Sequence, residues 1–475
     1  MSGAVNIRAR SLRQFFFVAA TAATHLLGAS TTRAAPGASA EQAEATAVPC
    51  GDAANTEPPD PRCGEALDGR AGSDLRTTPS PLLAVPRLAS RALFWPVVHT
   101  SAFLERHHVV PWARAVLTSD DGLIGVRPRF IYASGFIPTL GLTFFDRRLA
   151  WADSELVASA TTGGPDIYNA QVVFQLPRSS GLSVHGGWDH RADRLYAGLG
   201  PVWKEDLVAA GRDLARYESA AAVAGVRWRR RLGGPFLVDL TGDFQRRVYG
   251  SSNVRGGPSV AEFYPAPAGS AGTVDPAFLP GFDEGLRIVQ GGASATVDFL
   301  EDVRGASGWS LTAGATYAHG VAGDPSRHVT TAANAVTSWG GNDRTLLLRV
   351  WAAAVEKVGS APIPFEELIT PAGAHGIRGL PFGRLRGQSA LVGSIEYRWL
   401  IAYNLDATLF IDEGTVADHR FAGMKLENFF PAIGFGLRSY QPWTSSYWSA
   451  APQGGVQVTY APDGGVRLLL STAAF

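Results

Sequence analysis

Cysteine is nearly absent from this 475-residue chain, which has two, and methionine is as scarce. The cysteines, Cys50 and Cys63, match no C-x-x-C redox or zinc spacing and read as a possible local disulfide in an exported chain. Net charge is lacking as well. Lys and Arg number 42, Asp and Glu 42, so no basic field directs the chain to nucleic acid or acidic lipid. Catalytic signatures are missing too: no G-x-S-x-G elbow, no H-E-x-x-H and no Walker loop. His107-His108 has no third ligand at metal spacing, and Gly198-Leu199-Gly200 opens no helix that would cradle a phosphate. The reading is therefore a non-enzyme with no cofactor and no metal. Long apolar runs are absent after the N-terminus. Hydrophobic residues make up 46% yet mean hydropathy is only +0.03, and no later stretch reaches the ~20 apolar residues of a spanning helix.

What is present is glycine, 54 residues, and aromatics, 10%. That composition suits a large sheet with aromatic girdles. Residues 1–40 read as a secretory signal: Arg8, Arg10 and Arg13 precede an apolar core, Phe15 to Ala29. Ala38-Ser39-Ala40, or Ala34 or Ala35, offers the cleavage site. Residues 41–81, rich in Ala, Pro and Gly without periodicity, read as a flexible periplasmic linker. Over 82–119 Leu82, Val85, Leu88, Leu93, Val97, Phe103 and Leu104 fall at roughly helical spacing, interrupted by Pro86 and Pro96. This predicts an amphipathic helical segment lying at the membrane face or plugging the barrel mouth.

From 120 to 475 the pattern is alternation at period two, punctuated by turn residues. Phe236, Val238, Leu240 and Phe244 oppose Asp239, Thr241, Asp243, Gln245 and Arg247. Val289, Ala293, Ala295, Val297 and Phe299 oppose Gln290, Ser294, Thr296 and Asp298. Leu391, Ile395, Tyr397 and Trp399 oppose Ser394, Glu396 and Arg398. Leu405, Ala407, Leu409 and Ile411 oppose Asp406, Thr408 and Asp412. A soluble sandwich would use strands of ~5 to 6 residues. These run to ten or more and carry charge on the polar face, as a wet lumen requires. The prediction is an all-β, transmembrane antiparallel barrel in the cell outer membrane. At roughly 20 to 22 residues per strand and turn, 120–475 holds about sixteen strands. The pattern blurs at 343–356, where Arg349 and Trp351 share a face with Leu347, and in the last strand, where Leu468 and Leu470 alternate with Arg467 and Leu469. Residues 250–285 read as a long extracellular loop and 358–387 as a second long loop. The 440–455 stretch looks like an insertion. A terminal aromatic, here Phe475, is the usual assembly mark of outer-membrane barrels.

Four stretches recur in one order: Ile377-Arg378-Gly379-Leu380 in the second long loop, Ser394-Ile395-Glu396-Tyr397-Arg398 on the next strand, Phe410-Ile411-Asp412-Glu413-Gly414 on the one after, and Gly434-Phe435-Gly436-Leu437-Arg438 beyond it. Together they resemble the BamA/TamA family of outer-membrane assembly proteins, also called the bacterial surface antigen family. Tyr196 to Gly200, with Tyr217 downstream, is similar to that family's barrel start. The resemblance covers about 120–475 and implies a sixteen-stranded barrel whose Arg-Gly loop folds back into the lumen. It implies that Arg378 meets Asp412 and acidic neighbours such as Glu396. From the residues alone, a confined Arg would find a bidentate partner there, with Gly379 permitting the backbone turn and Gly414 part of the same motif; a solvated loop tip is the alternative. The βααββ POTRA modules of the family's assembly members have no counterpart in the stretch before 120, which puts client recruitment in question. The implied role is insertion or translocation of protein or lipid at the outer membrane, through a weak seam between a first strand near 124–133 and a last near 465–475. Its partners would be outer-membrane lipid and client outer-membrane or exported proteins. A passive porin-like channel is the alternative. The sequence sets no oligomeric state.

Overall fold

The structure is a computed structural model that describes residues 116–471, apart from 152, 178, 301–306, 342–343, 373–375, 403–404 and 440–453. The expected signal, linker and disulfide (Cys50, Cys63), nearly all of the helical segment, the 440–455 insertion up to 453 and Phe475 therefore lie outside the described residues. Sixteen strands follow in chain order: β1 (Ile124–Ala133), β2 (Thr139–Asp146), β3 (Glu155–Gly164), β4 (Ile167–Gln175), β5 (Leu182–Tyr196), β6 (Ala215–Gly233), β7 (Phe236–Ser251) and β8 (Leu286–Asp298), then β9 (Gly308–Gly320), β10 (Arg327–Gly341), β11 (Arg344–Lys357), β12 (Ser389–Ala402), β13 (Leu405–Ala417), β14 (Phe430–Ser439), β15 (Gly454–Ala461) and β16 (Gly465–Ser471). Each pairs antiparallel with its sequence neighbours, and β1 pairs β16, so the sheet closes into a barrel. Closure removes the open edges that a sheet cannot expose to lipid. Two short helices, α1 (Lys204–Ala209) and α2 (Val260–Phe263), sit in the connections. No helix among the described residues is long and apolar enough to cross a membrane.

Alternation sorts the side chains as the pattern predicts. Phe236, Leu240, Phe244 and Val248 are exposed on the outer face of β7, while Asp239 is buried within. Leu409 and Tyr397 point outward, with Asp412 and Glu396 buried on the inner face. On β11 the blurred stretch resolves: Leu346 and Val350 are exposed outside, and Thr345, Leu347, Arg349 and Trp351 form the inner face. That inner face is mixed because it meets protein rather than water: Trp351 packs against the inserted loop and Arg349 donates to the Gly376 carbonyl oxygen. On β16 Val466 and Leu468 are exposed, and Arg467 turns in to bond the Ser134 carbonyl oxygen.

One expectation is corrected. Tyr196–Gly200 does not open the barrel; Tyr196 ends β5, and the glycines run into the β5–β6 connection. Gly198 and Gly200 hold φ of 98° and 85°, values open to glycine. This lets Gly200 bridge to Arg386 of the second long loop. The 252–285 connection carries α2 and is buried in part. Val260, Tyr264, Val274, Leu279 and Phe282 are buried with Tyr196, Tyr217 and Phe365.

Candidate functional site: the lumen loop and its anchors

The connection between β11 and β12, residues 358–388, enters the barrel. Its backbone forms a narrow hairpin: Ile369 and Gly387 exchange hydrogen bonds, and Ile377 donates to the Pro371 carbonyl oxygen. Ile363, Leu368, Ile369, Ile377, Leu380 and Leu385 are buried against wall residues including Val355, Val392, Val416, Phe430 and Ala461. Burying a Leu or Ile contributes about 1.5–3 kcal/mol, so this seam fixes the loop before any charge is counted.

The structure brings Arg378, Glu396, Asp412 and Ser394 together. The Arg378 guanidinium donates to both Asp412 oxygens, at 2.8 and 2.7 Å, to Ser394 Oγ at 3.0 Å and to Glu396. Its backbone N–H also donates to Asp412, at 3.0 Å. Ser394 and Asp412 are direct cross-strand partners on β12 and β13, and Glu396 lies opposite Phe410. A bidentate fork on one carboxylate, with further donors spent on two neighbours, is the geometry that guanidinium supplies and ammonium does not. Glu396 is held besides by Arg398 at 2.5 Å and Arg438 at 3.0 Å. Burial alone disfavours a charged Arg378, yet the two carboxylates outweigh it and hold the group more firmly protonated than usual.

The glycines and Phe410 explain the remaining motif positions. Phe410, buried on the inner face, presents its ring 3.4 Å from the Arg378 guanidinium. That ring lies where a Cβ on Gly434 would stand, 2.3 Å from its Cζ. So the Phe of one strand and the first Gly of the next make a fitted pair. Gly379 is required for contact rather than for the turn predicted from sequence: it is not among the residues with positive φ. A Cβ there would stand 2.6 Å from that of Ala432 and 3.0 Å from that of Ala461. Gly414 is likewise tight, with the Leu391 carbonyl oxygen and Val392 at 2.8 Å and Ile377 at 3.1 Å from a built Cβ.

Two further anchors went unnoticed in the sequence. Arg384, 3% exposed, pairs with buried Asp463 in the β15–β16 turn and donates to the Val202 carbonyl oxygen at 2.6 Å. Gly383 beside it takes φ 91° because the Leu195 carbonyl oxygen fills the place of any Cβ. Near the mouth, Arg247 of β7 bonds Glu366 at 3.3 Å and Glu367 at 2.9 Å. Tyr217 of β6 donates to Glu366 at 2.7 Å, and His328 of β10 lies 3.2 Å from Glu367. Burial opposes ionisation of Glu367, but the His328 hydrogen bond and the Arg247 charge pull its pKa below the usual carboxylate value. The available signal was local: Glu366-Glu367 and Arg384-x-Arg386 are the charged pairs in an otherwise apolar, glycine-rich loop.

The loop thus touches β6, β7 and β10 on one side and β12–β15 on the other, and crosses the lumen. A cavity of about 330 Å³ remains on the inner wall, lined by Arg227, Asp239, Thr316, Asn334 and Trp351 among others. Among the described residues no group of three His, Cys, Asp or Glu side chains is placed to hold a metal.

Fold and loop together define the class: a sixteen-stranded antiparallel barrel, apolar outside and charged within, crossed by one ion-paired loop. Among solved structures it is similar to BamA from Haemophilus ducreyi lacking POTRA domains 1–3, with 12% identity, 74% of this chain and 70% of that chain covered, and a TM-score of 0.48. It is similar also to CdiB from Acinetobacter baumannii (12% identity, 75% of this chain, TM-score 0.43) and CdiB from Escherichia coli (14%, 74%, TM-score 0.46). The match spans 63% of the length of each CdiB. No family model and no curated protein matches the chain.

Proposed function

We propose that this barrel sits in the outer membrane and aids insertion or translocation of protein or lipid there, without a catalytic step. The observation that carries the reading is the seam. Among the described residues β1 and β16 share three register pairs, Ile131 with Ser471, Tyr132 with Leu470 and Ala133 with Leu469. β6 and β7 share sixteen, running from Tyr217–Ser251 to Gly233–Phe236. Each ladder hydrogen bond contributes about 0.5–1.5 kcal/mol net, so over the described residues, which end at Ser471 on β16, the β1–β16 ladder contributes less than that of any other neighbouring pair, with Ser134 adding bonds to Leu468. The lumen loop carries its densest anchor on β12 and β13, is tied by Arg384 to Asp463 in the β15–β16 turn, and would brace the wall beside the seam while the seam parts. The partners on this reading are membrane lipid and unfolded outer-membrane or exported clients.

The test locks the seam. Tyr132 and Leu470, or Ala133 and Leu469, are replaced by cysteine after Cys50 and Cys63 are changed to serine. The full chain is reconstituted with a urea-unfolded eight-stranded barrel as client. Oxidation should stop client insertion and reduction should restore it; insertion at full rate through a locked seam overturns the reading. Large, steady single-channel conductance would instead favour a passive channel, which the charged cavity of the inner wall would suit.

A further inference from the structure

Four neighbouring strands carry a basic residue near the same end of their outer faces. On β7 the exposed series Phe236, Leu240, Phe244 is followed by exposed Arg246, with Val248 beyond it. On β8 exposed Val289 is preceded by exposed Arg287. On β9 the outer series Trp309, Leu311, Tyr317 runs on to His319, and on β10 exposed Arg327 stands at the same end, with Trp339 at the other. The basic end is the one from which the 252–285 and 358–388 connections emerge; the opposite end carries Phe236, Trp309 and Trp339. Ten residues of tilted strand separate Phe236 from Arg246. At ~3.3 Å each and a tilt near 40° that projects to roughly 25 Å, the height of a barrel's apolar band. The arginines therefore stand at headgroup level, beyond the acyl chains.

Their pairing is costly unless something answers it. Arg246 lies directly opposite Arg287, and His319 directly opposite Arg327. Like charges in that relation, as Arg246 and Arg287 are, destabilise a sheet. Among the described residues no carboxylate pairs with Arg246, Arg287 or Arg327. Two acids at this end are engaged elsewhere: Asp324 accepts from the Arg287 backbone N–H and from Ser326, and Glu356 is taken by Arg420.

We propose that the outer face of β7–β10 binds phosphorylated headgroups of membrane lipid in the leaflet on the loop side, with Arg246, Arg287 and Arg327 gripping phosphate and the apolar band below them covering acyl chains. The inference rests on the barrel lying in a membrane. Guanidinium forks match phosphate oxygens, and doing so in the membrane interface strengthens the contact. Native mass spectrometry of the full chain in detergent tests it, with lipid A carrying both phosphates as the probe. The wild type should retain lipid A. The Arg246→Gln, Arg287→Gln, Arg327→Gln triple variant should retain at least about tenfold less, a shift of roughly 1.4 kcal/mol. Dephosphorylated lipid A should be lost by both, and millimolar inorganic phosphate should not displace the intact lipid. Equal retention by the triple variant, equal retention of the dephosphorylated lipid, or displacement by inorganic phosphate each overturns the site. Arg287→Gln alone, with an intermediate loss, serves if the triple variant folds poorly. Insertion into neutral phosphatidylcholine vesicles, read by heat-modifiable gel mobility, bears on the membrane reading alone.

Discussion

Removing the Arg378 side chain is the sharpest perturbation the structure offers. Arg378→Ala takes away the fork on Asp412, the bond to Ser394, one of three arginines on Glu396 and the cation over Phe410. Deleting one partner of a buried pair costs about 3–5 kcal/mol, because the other charge stays buried. The low end applies here. Glu396 keeps Arg398 and Arg438, and Asp412 keeps the Ser394 hydroxyl at 2.6 Å and the backbone N–H of residue 378. About 3 kcal/mol amounts to a roughly hundredfold shift in the equilibrium between loop anchored and loop released. The strands should survive, since the ladder of β12 with β13 uses backbone groups. Urea unfolding in detergent micelles reads the loss, and heat-modifiable mobility reads whether the barrel still closes. Arg378→Lys should rescue little, because an ammonium cannot span both Asp412 oxygens. Asp412→Asn combined with Arg378→Ala should cost less than the sum of the two. An unchanged unfolding midpoint for Arg378→Ala, or simple additivity with Asp412→Asn, would refute the anchor.

Gly379→Val should lower stability by about 1–3 kcal/mol through overpacking against Ala432 and Ala461; pairing it with Ala461→Gly should recover part of that in the same urea assay. The mouth anchor predicts acid sensitivity. Glu367 has its folded-state pKa depressed below the usual carboxylate value of 4.5, so its contribution is present above about 4.5 and fades as pH falls through the folded value. Thermal unfolding followed from pH 7 to pH 3 should show that loss, and Glu367→Gln should flatten it. A pH profile identical in the variant would count against the clamp of Arg247 and His328 on this carboxylate.

Much of the barrel could be read from the chain itself. Which side chains face lipid and which face inward follows from period-two alternation, a property of neighbouring residues that needs no tertiary knowledge. The strand count followed from length, and β1 at Ile124–Ala133 falls where the alternation begins. The meeting of Arg378 with Asp412 and Glu396 was implied by a family resemblance, and the inner-face positions of both acids were legible in the pattern. What only the tertiary structure decided are the contacts that depend on register around the cylinder and on the path of the inserted loop. Arg247 reaches Glu366 across 119 positions of chain, and Arg384 reaches Asp463 across 79. Gly379 and Gly434 are glycines because a neighbouring strand or ring occupies the Cβ position. No local rule predicts these, since alternation fixes a residue's face but not which residue stands opposite it, and close packing is settled only when strand stagger and loop depth are fixed together.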